Sequence, residues 1–303
     1  MKQPAMFLRI GACFLTIAAG LSMVAAAARP EATAPAHPEL VVSTKWLSEH
    51  LTDPNLVIVH IGHDEQDYRA AHIPGAIYLS MDKFATSHSE PGTELLPPEE
   101  LKKNLESVGI GDNSHVVYYS PDWDPMATRL FFTMDYLGHG GQAALLDGGL
   151  DQWIREKRPT STEAGAAKPA TLTVHLHPEI VAKIDSMEKL VAQADSGIVI
   201  VDARPSKRYR NGHLRGSESL YWENALASEK DPLLKSPAEL RQLFAAAGVT
   251  ERKKAVTYCE VGLQASYVYF LARYLGFDAA MYDGSYNEWS RAQQPAVRGD
   301  SPQ

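Results

Sequence analysis

The chain has 303 residues, 45% of them hydrophobic and 22% charged, which supplies cores for roughly two domains of ordinary size. A formal net charge of −8 argues against a nucleic-acid partner, which a basic face would favour. After residue 28 no apolar run approaches the roughly 20 residues that span a bilayer, so nothing in the body of the chain suggests membrane insertion.

The first 28 residues read as a secretion signal. Lys2 and Arg9 form a basic end, residues 10–24 an apolar run, and Ala25, Ala26, Ala27 and Ala28 an A-x-A cleavage site. Cleavage discards Cys13; retention as an anchor is the other reading. A lipid-modified Cys13 is disfavoured because most of the apolar run follows it. The protein is therefore expected in the periplasm or the medium, free of the membrane once the signal is cleaved. Removing Lys2 and Arg9 makes its charge more negative still. Cys259 is then the sole thiol, without an internal disulfide partner, and is either inert in a core or exposed for reactivity.

Further along, short apolar runs alternate with helical patterns. Residues 56–61 read as a buried strand. The segment Tyr68-Arg69-Ala70-Ala71-His72-Ile73-Pro74-Gly75 follows. A helix over 98–108 opens on a first-turn proline and stops at a glycine. The strand 116–119 leads to Ser120 and then to Pro121, Asp122, Trp123, Asp124 and Pro125. Leu137-Gly138, Asp147-Gly148-Gly149 and Trp153 close this half.

The stretch 159–169, rich in Pro, Thr, Ser, Ala and Gly, has a linker composition. The same order then repeats. A strand over 198–201 ends at Asp202-Ala203-Arg204. Tyr209-Arg210-Asn211-Gly212-His213-Leu214-Arg215-Gly216 matches the earlier Tyr68 segment, and a helix covers 237–247. The strand 255–258 reaches Cys259, and Leu275-Gly276, Asp283-Gly284-Ser285 and Trp289 complete the copy. Matches in order over nearly the whole of both halves establish a duplication. Strand alternating with helix makes each half an α/β domain, with a mostly parallel sheet and helices on both faces.

Cys259 stands where ligands bind in parallel sheets, beyond the carboxyl end of a strand. Glu260, Val261, Gly262, Leu263 and Gln264 are expected to curl their amides around its sulfur. A helix starting near Ala265 points its positive end there, and both effects favour the nucleophilic thiolate.

The duplicated Tyr-x-x-x-His-[Ile/Leu]-x-Gly segment, the Asp202-Ala203-Arg204 strand end, the Cys-x-x-Gly loop and the Tyr-Asp-Gly-x-x-x-x-Trp ending together resemble tandem-domain rhodaneses, the thiosulfate and 3-mercaptopyruvate sulfurtransferases. The resemblance spans roughly residues 40 to 295. It implies two rhodanese-like domains, at 40–158 and 173–296, joined by a linker at 159–172. It also implies transfer of a sulfane sulfur from a small anionic donor to cyanide or a thiol through a persulfide on Cys259, with no cofactor. The loop of Glu260, Val261, Gly262, Leu263 and Gln264 becomes the substrate cradle, and Arg204 the contact for the donor's anionic part. A structural salt bridge is the alternative for Arg204. The expected partners are the donor and a thiophilic acceptor, and the expected state is a monomer.

One departure from the family and two features of the repeat qualify that picture. Loop residues Glu260, Val261, Leu263 and Gln264 fit neither the basic loop of thiosulfate-specific relatives nor the small-residue loop of mercaptopyruvate-specific ones, and Glu260 repels an anionic donor unless it points away. The first half has Ser120 in place of the thiol, and prolines remove two of the amides an anion cradle needs, so this half is expected to be non-catalytic. His72 and His213 share one place in the repeat, which favours a structural job over the catalytic one some relatives suggest for His72. His60, His63, His175 and His177 lack metal-site spacing, and Trp153 and Trp289 read as core aromatics. A sulfur-binding or protein-docking module with little turnover is the competing function. A cysteine phosphatase or arsenate reductase is opposed by the short loop without arginine.

Overall fold

In the computed structural model, Met1 and residues 35–86, 93–121, 125–193, 197–228 and 231–301 are described. The expected signal with Cys13, and Asp122, Trp123 and Asp124 of the first half, lie outside them.

Each half forms a five-stranded parallel sheet. The first contains β1 (Val41–Val42), β2 (Leu56–Gly62), β3 (Ile77–Ser80), β4 (His115–Tyr119) and β5 (Ala143–Leu146), in the order β1-β5-β4-β2-β3. The second contains β6 (Val181–Ala182), β7 (Ile198–Asp202), β8 (Ser217–Ser219), β11 (Lys254–Tyr258) and β12 (Ala279–Tyr282), in the equivalent order β6-β12-β11-β7-β8. A short antiparallel hairpin, β9 (Leu226–Ser228) and β10 (Asp231–Leu234), was not legible from the apolar runs. The helices are α1 (Thr44–His50), α2 (Gln66–Ala70), α3 (Pro98–Ser107), α4 (Met126–Tyr136) and α5 (Gly149–Arg155) in the first half. In the second they are α6 (Ile184–Ala192), α7 (Ser206–Asn211), α8 (Pro237–Ala246), α9 (Leu263–Leu275) and α10 (Ser285–Arg291).

Local chemistry accounts for the helix starts. Pro98 and Pro237 occupy the first turns of α3 and α8, and Ser236 with Glu239 forms a capping box on α8. Strand side chains alternate between two cores. Ile58 and Ile200 face outer cores, each belonging to one half and closed by Trp153 or Trp289, whereas Val59, Ile61, Val199 and Val201 face a single inner core shared by both.

That shared core is centred on α4 and α9, each the helix that leaves the carboxyl end of its central strand. Both are apolar on nearly every side and buried almost throughout, as helices inside a protein must be. They pack on each other: Phe131 meets Phe270 edge-on at 5.0 Å, and Phe132 meets Tyr269 edge-on at 5.1 Å. Thr128 Oγ1 and Ser266 Oγ, equivalent residues of the two copies, lie 3.0 Å apart in a buried hydrogen bond.

The stretch with linker composition is an ordered strap. Ser161 exchanges main-chain hydrogen bonds with His72, the Gly165 N–H donates to Tyr68 Oη, and the Leu172 N–H donates to Glu106 Oε1. Gly165 lies so close to the first domain that a Cβ there would sit 2.4 Å from the Ala76 carbonyl oxygen. Small residues in this stretch therefore serve close packing. His213 holds the C-terminal segment in the same way, exchanging main-chain bonds with Val297.

Replacing Phe131 by Ala is expected to lower the unfolding free energy by about 3–5 kcal/mol in urea titrations, the usual cost of truncating a buried phenylalanine. A loss below about 1 kcal/mol, the scale of a surface substitution, would contradict the tight packing of α4 on α9.

Candidate functional site

Cys259 follows the last residue of β11, at the carboxyl end of the parallel sheet, and only 1% of it is exposed. The chain turns into α9 within three residues because Gly262 adopts φ +95°, a left-handed conformation that side chains resist. The helix thus starts at Leu263 rather than near Ala265. The Gly262 N–H donates to Cys259 Sγ at 3.1 Å, and the amides of Ala265 and Val261 also point to the sulfur. Glu260 and Val261 form the turn, while Leu263 and Gln264 belong to the first turn of α9.

The cradle is backed by the turn after β12. The Cys259 N–H donates to Ser285 Oγ at 3.2 Å, while the N–H groups of Tyr286 and Asn287 donate to the carbonyls of Cys259 and Glu260. Ser285 has φ +53°, where the first half places Gly149 at φ +56°. A serine tolerates this strain because its hydroxyl also donates to the Tyr282 carbonyl, fixing it beneath the cysteine.

Electrostatics here run in opposite directions. Burial pushes the Cys259 thiol above its ordinary value and the Asp202 charge adds to the rise, while the amides of Ala265, Val261 and Gly262 pull it down. The net shift is upward. The thiolate preference expected from the loop and helix end is therefore outweighed by desolvation, which the sequence did not reveal.

Arg204 is 2% exposed and already engaged. Its Nε donates to Asp202 Oδ1 at 2.9 Å, and its Nη2 donates to Asp202 Oδ2 and the Gly212 carbonyl, both at 2.7 Å. Nη1 turns to Glu260 Oε2 at 3.3 Å, and the guanidinium lies 4.0 Å from the centroid of the Tyr286 ring. Arg204 is thus held in a salt bridge, the arrangement its structural alternative required. Glu260, with 44% of its side chain exposed, is held by that arginine at the rim.

The first half lacks this arrangement. Sheet register sets His60 opposite Tyr119 as it sets Asp202 opposite Tyr258, so His60 and Gly62 stand where the second half has Asp202 and Arg204. Burial, followed by the His72 charge, lowers the His60 pKa to about 4. Ser120 is buried beside a small cavity lined by Gly148, Gly149, Pro232 and Tyr267. His72 and His213 stack on Tyr68 and Tyr209 at 3.8 Å, and both ring nitrogens of each face main-chain carbonyls. Trp153 and Trp289 are buried and donate to the carbonyls of Pro159 and Pro295. Among the described residues no group of His, Cys, Asp and Glu is arranged to hold a metal ion.

Each site is completed by an arm from the opposite half. The Thr93 N–H donates to the Val261 carbonyl and the Leu95 N–H to Asp283 Oδ2, covering the cysteine loop. Reciprocally, the Leu234 N–H donates to Asp147 Oδ1, and Pro232 covers the Ser120 loop. Arg129, on α4, donates from Nη1 to Asp283 Oδ1 at 2.6 Å with both side chains buried. Thr93, Arg129, Asp283 and Ser285 were missed as site residues. One signal was present: Arg129 is a lone cation in the apolar stretch 126–134.

Comparison with known proteins fits this architecture. The Rhodanese-like domain model matches residues 43–156 and again 186–292. The chain belongs to that family, in the tandem-domain form, and is a sulfurtransferase. It is 30% identical over 287 residues to the sulfur carrier protein TtuD of Thermus thermophilus, covering 88% of this chain and 99% of the relative. It is 28% identical over 293 residues to a thiosulfate sulfurtransferase of Corynebacterium glutamicum, covering 88% and 93%. The crystal structure of SseA from Escherichia coli, a 3-mercaptopyruvate sulfotransferase, superposes with a TM-score of 0.72 at 24% identity, covering 81% of this chain and 98% of SseA, a likeness of fold.

Two outcomes test this geometry. Because the thiolate is the reactive form and the folded pKa is raised, alkylation of Cys259 by iodoacetamide should climb with pH through a midpoint above the ~8.5 of an ordinary thiol. A midpoint below that of the same cysteine in the urea-unfolded chain would show that the amides dominate. Replacing Ser285 by Gly relieves about 1 kcal/mol of left-handed strain, so stability should hardly fall. The alkylation rate should nevertheless drop severalfold as the cysteine amide loses its acceptor.

Proposed function

We propose that this protein is an exported sulfurtransferase that carries a sulfane sulfur as a persulfide on Cys259. The observation that carries the reading is the convergence of the Val261, Gly262 and Ala265 amides on a single thiol at the carboxyl edge of the sheet. In the first step the Cys259 thiolate attacks the outer sulfur of the donor. A new S–S bond forms and the donor's bond to that sulfur breaks, its electron pair leaving with sulfite from thiosulfate or with the pyruvate enolate from 3-mercaptopyruvate. The terminal persulfide sulfur is anionic, and fixed amides stabilise it without reorganisation. Cyanide or a thiolate then attacks the outer sulfur and returns Cys259 as the thiolate.

Glu260 bears on the donor. Its charge occupies Arg204 Nη1, so an incoming anion meets a carboxylate at the rim and an arginine already committed. Slow use of thiosulfate follows from that pairing. A carrier reading, in which the persulfide is held for delivery with little turnover, is favoured by the buried thiol and by the description of the Thermus relative as a sulfur carrier. The expected signal supports export to the periplasm or the medium, and a purified protein beginning near residue 29 would agree with it.

Intact-mass measurement after incubation with thiosulfate or 3-mercaptopyruvate should show a gain of one sulfur atom that cyanide removes. Cys259→Ser should abolish the gain, and Ser120→Ala should leave it intact; the reverse result would move the active site to the first half. Glu260→Gln should raise the second-order rate with thiosulfate by about fivefold to tenfold, the scale of one partly exposed charge interaction. An adduct that forms but turns over only slowly with cyanide would favour the carrier reading.

A further inference from the structure

Arg129 lies on α4, in the half without the thiol, yet its side chain reaches the cysteine loop of the other half. Among the described residues only Nη1 is paired, with Asp283. Its Nε and Nη2 are buried with no hydrogen-bond partner among the described residues, and the side chain is 0% exposed. Two unpaired donors on a buried cation are costly, and their retention calls for a partner that is present only part of the time. The position of this cation is also telling. A Cβ built on Gly262 would lie 3.3 Å from Arg129 Nη1, and Gly262 is the residue whose amide bonds Cys259 Sγ.

The duplication provides an internal control. Aligning Leu137-Gly138 with Leu275-Gly276 sets Arg129 opposite Tyr267, and aligning Asp147-Gly148-Gly149 with Asp283-Gly284-Ser285 sets Asp147 opposite Asp283. Tyr267 lines the small cavity with Asp147 beside Ser120. The helix facing the serine therefore offers a neutral phenol where the helix facing the thiol offers a guanidinium. Arg204 is less available to an incoming anion, because Asp202, Gly212 and Glu260 engage donors on all three of its nitrogens.

We infer that Arg129 is the anion-binding residue of the Cys259 site, contributed by the opposite half, and that its Nε and Nη2 donate to the oxyanion of a sulfonate- or carboxylate-bearing sulfur donor. The planar fork suits both groups. Thr93 lies 3.2 Å from the same built Cβ and bonds the Val261 carbonyl, so the thiol and the guanidinium share one cover. A donor that displaces this cover to reach the sulfur meets both. The identity of the anion rests on the sulfurtransferase reading; the presence of an anion site does not.

The test uses two alkylating probes of similar size on the whole protein without donor. Iodoacetate is anionic and iodoacetamide neutral, so the ratio of their rates at Cys259 reports a nearby cation independently of sulfur chemistry. Asp283→Asn combined with Arg129→Gln removes the ion pair as a unit and leaves no buried charge. That double variant should lower the iodoacetate-to-iodoacetamide ratio by about tenfold, the scale of one charge-assisted hydrogen bond. It should also raise the KM for thiosulfate more than it lowers kcat. An unchanged ratio in a folded double variant would overturn the proposal, leaving Arg129 a structural strut. Should that variant not fold, sulfate should still slow iodoacetamide alkylation of the native protein saturably, at an ionic strength where chloride does not. Absence of that protection would equally overturn it. If neither thiosulfate nor 3-mercaptopyruvate leaves sulfur on the native protein while the ratio still depends on Arg129, the donor reading fails and the anion site stands.

Discussion

The packing of α4 on α9 is the constraint on which the rest of the molecule depends. Each helix leaves the carboxyl end of its central strand, so pressing the two together brings the Cys259 and Ser120 loops into the boundary between the halves. The apolar faces that close this boundary also remove water from the thiol. Desolvation then raises the thiol's pKa against the pull of three amides, so the contact that builds the site also restrains its reactivity.

Duplication left both copies with the same frame and different strand ends. A tyrosine at the end of the central strand accepts a main-chain N–H in each: Tyr258 from Leu214 and Tyr119 from Ile73. In the second half that tyrosine also donates to Asp202, which holds Arg204 rigidly beside the loop. In the first half it meets His60, a group kept neutral by burial, and no arginine follows. The charged pair therefore accompanies the thiol and is absent with it. The ion pair of Arg129 and Asp283 follows the same rule across the boundary.

Much of this was legible in the chain because it is local. Apolar runs of four to six residues bounded by turn residues located the four long central strands, first-turn prolines located α3 and α8, and the repeat located the equivalence of the halves. Cys259 was legible as a lone thiol after an apolar strand. Other features arise from contacts between residues far apart in sequence, which no periodicity encodes. The engagement of Arg204 depends on the Gly212 carbonyl and on the direction taken by Glu260. The strain at Ser285 shows only as a backbone angle, although Gly149 at the equivalent position hinted at it. Arg129 read as part of a buried helix, because its partner lies 154 positions away. Linker composition, finally, did not distinguish a mobile tether from the ordered strap that 159–172 forms.

The exchange of arms bears on how such a chain can be divided. Residues 93–95 close over the second half's loop and residues 232–234 over the first's, so the two copies are interleaved rather than strung side by side. Gene fission between them yields two fragments, each with a bare loop and a strip of inner core facing water. Selection on either copy is therefore selection on the pair: the serine-bearing half cannot decay once its chemistry is gone, because it furnishes the wall of the other half's active site.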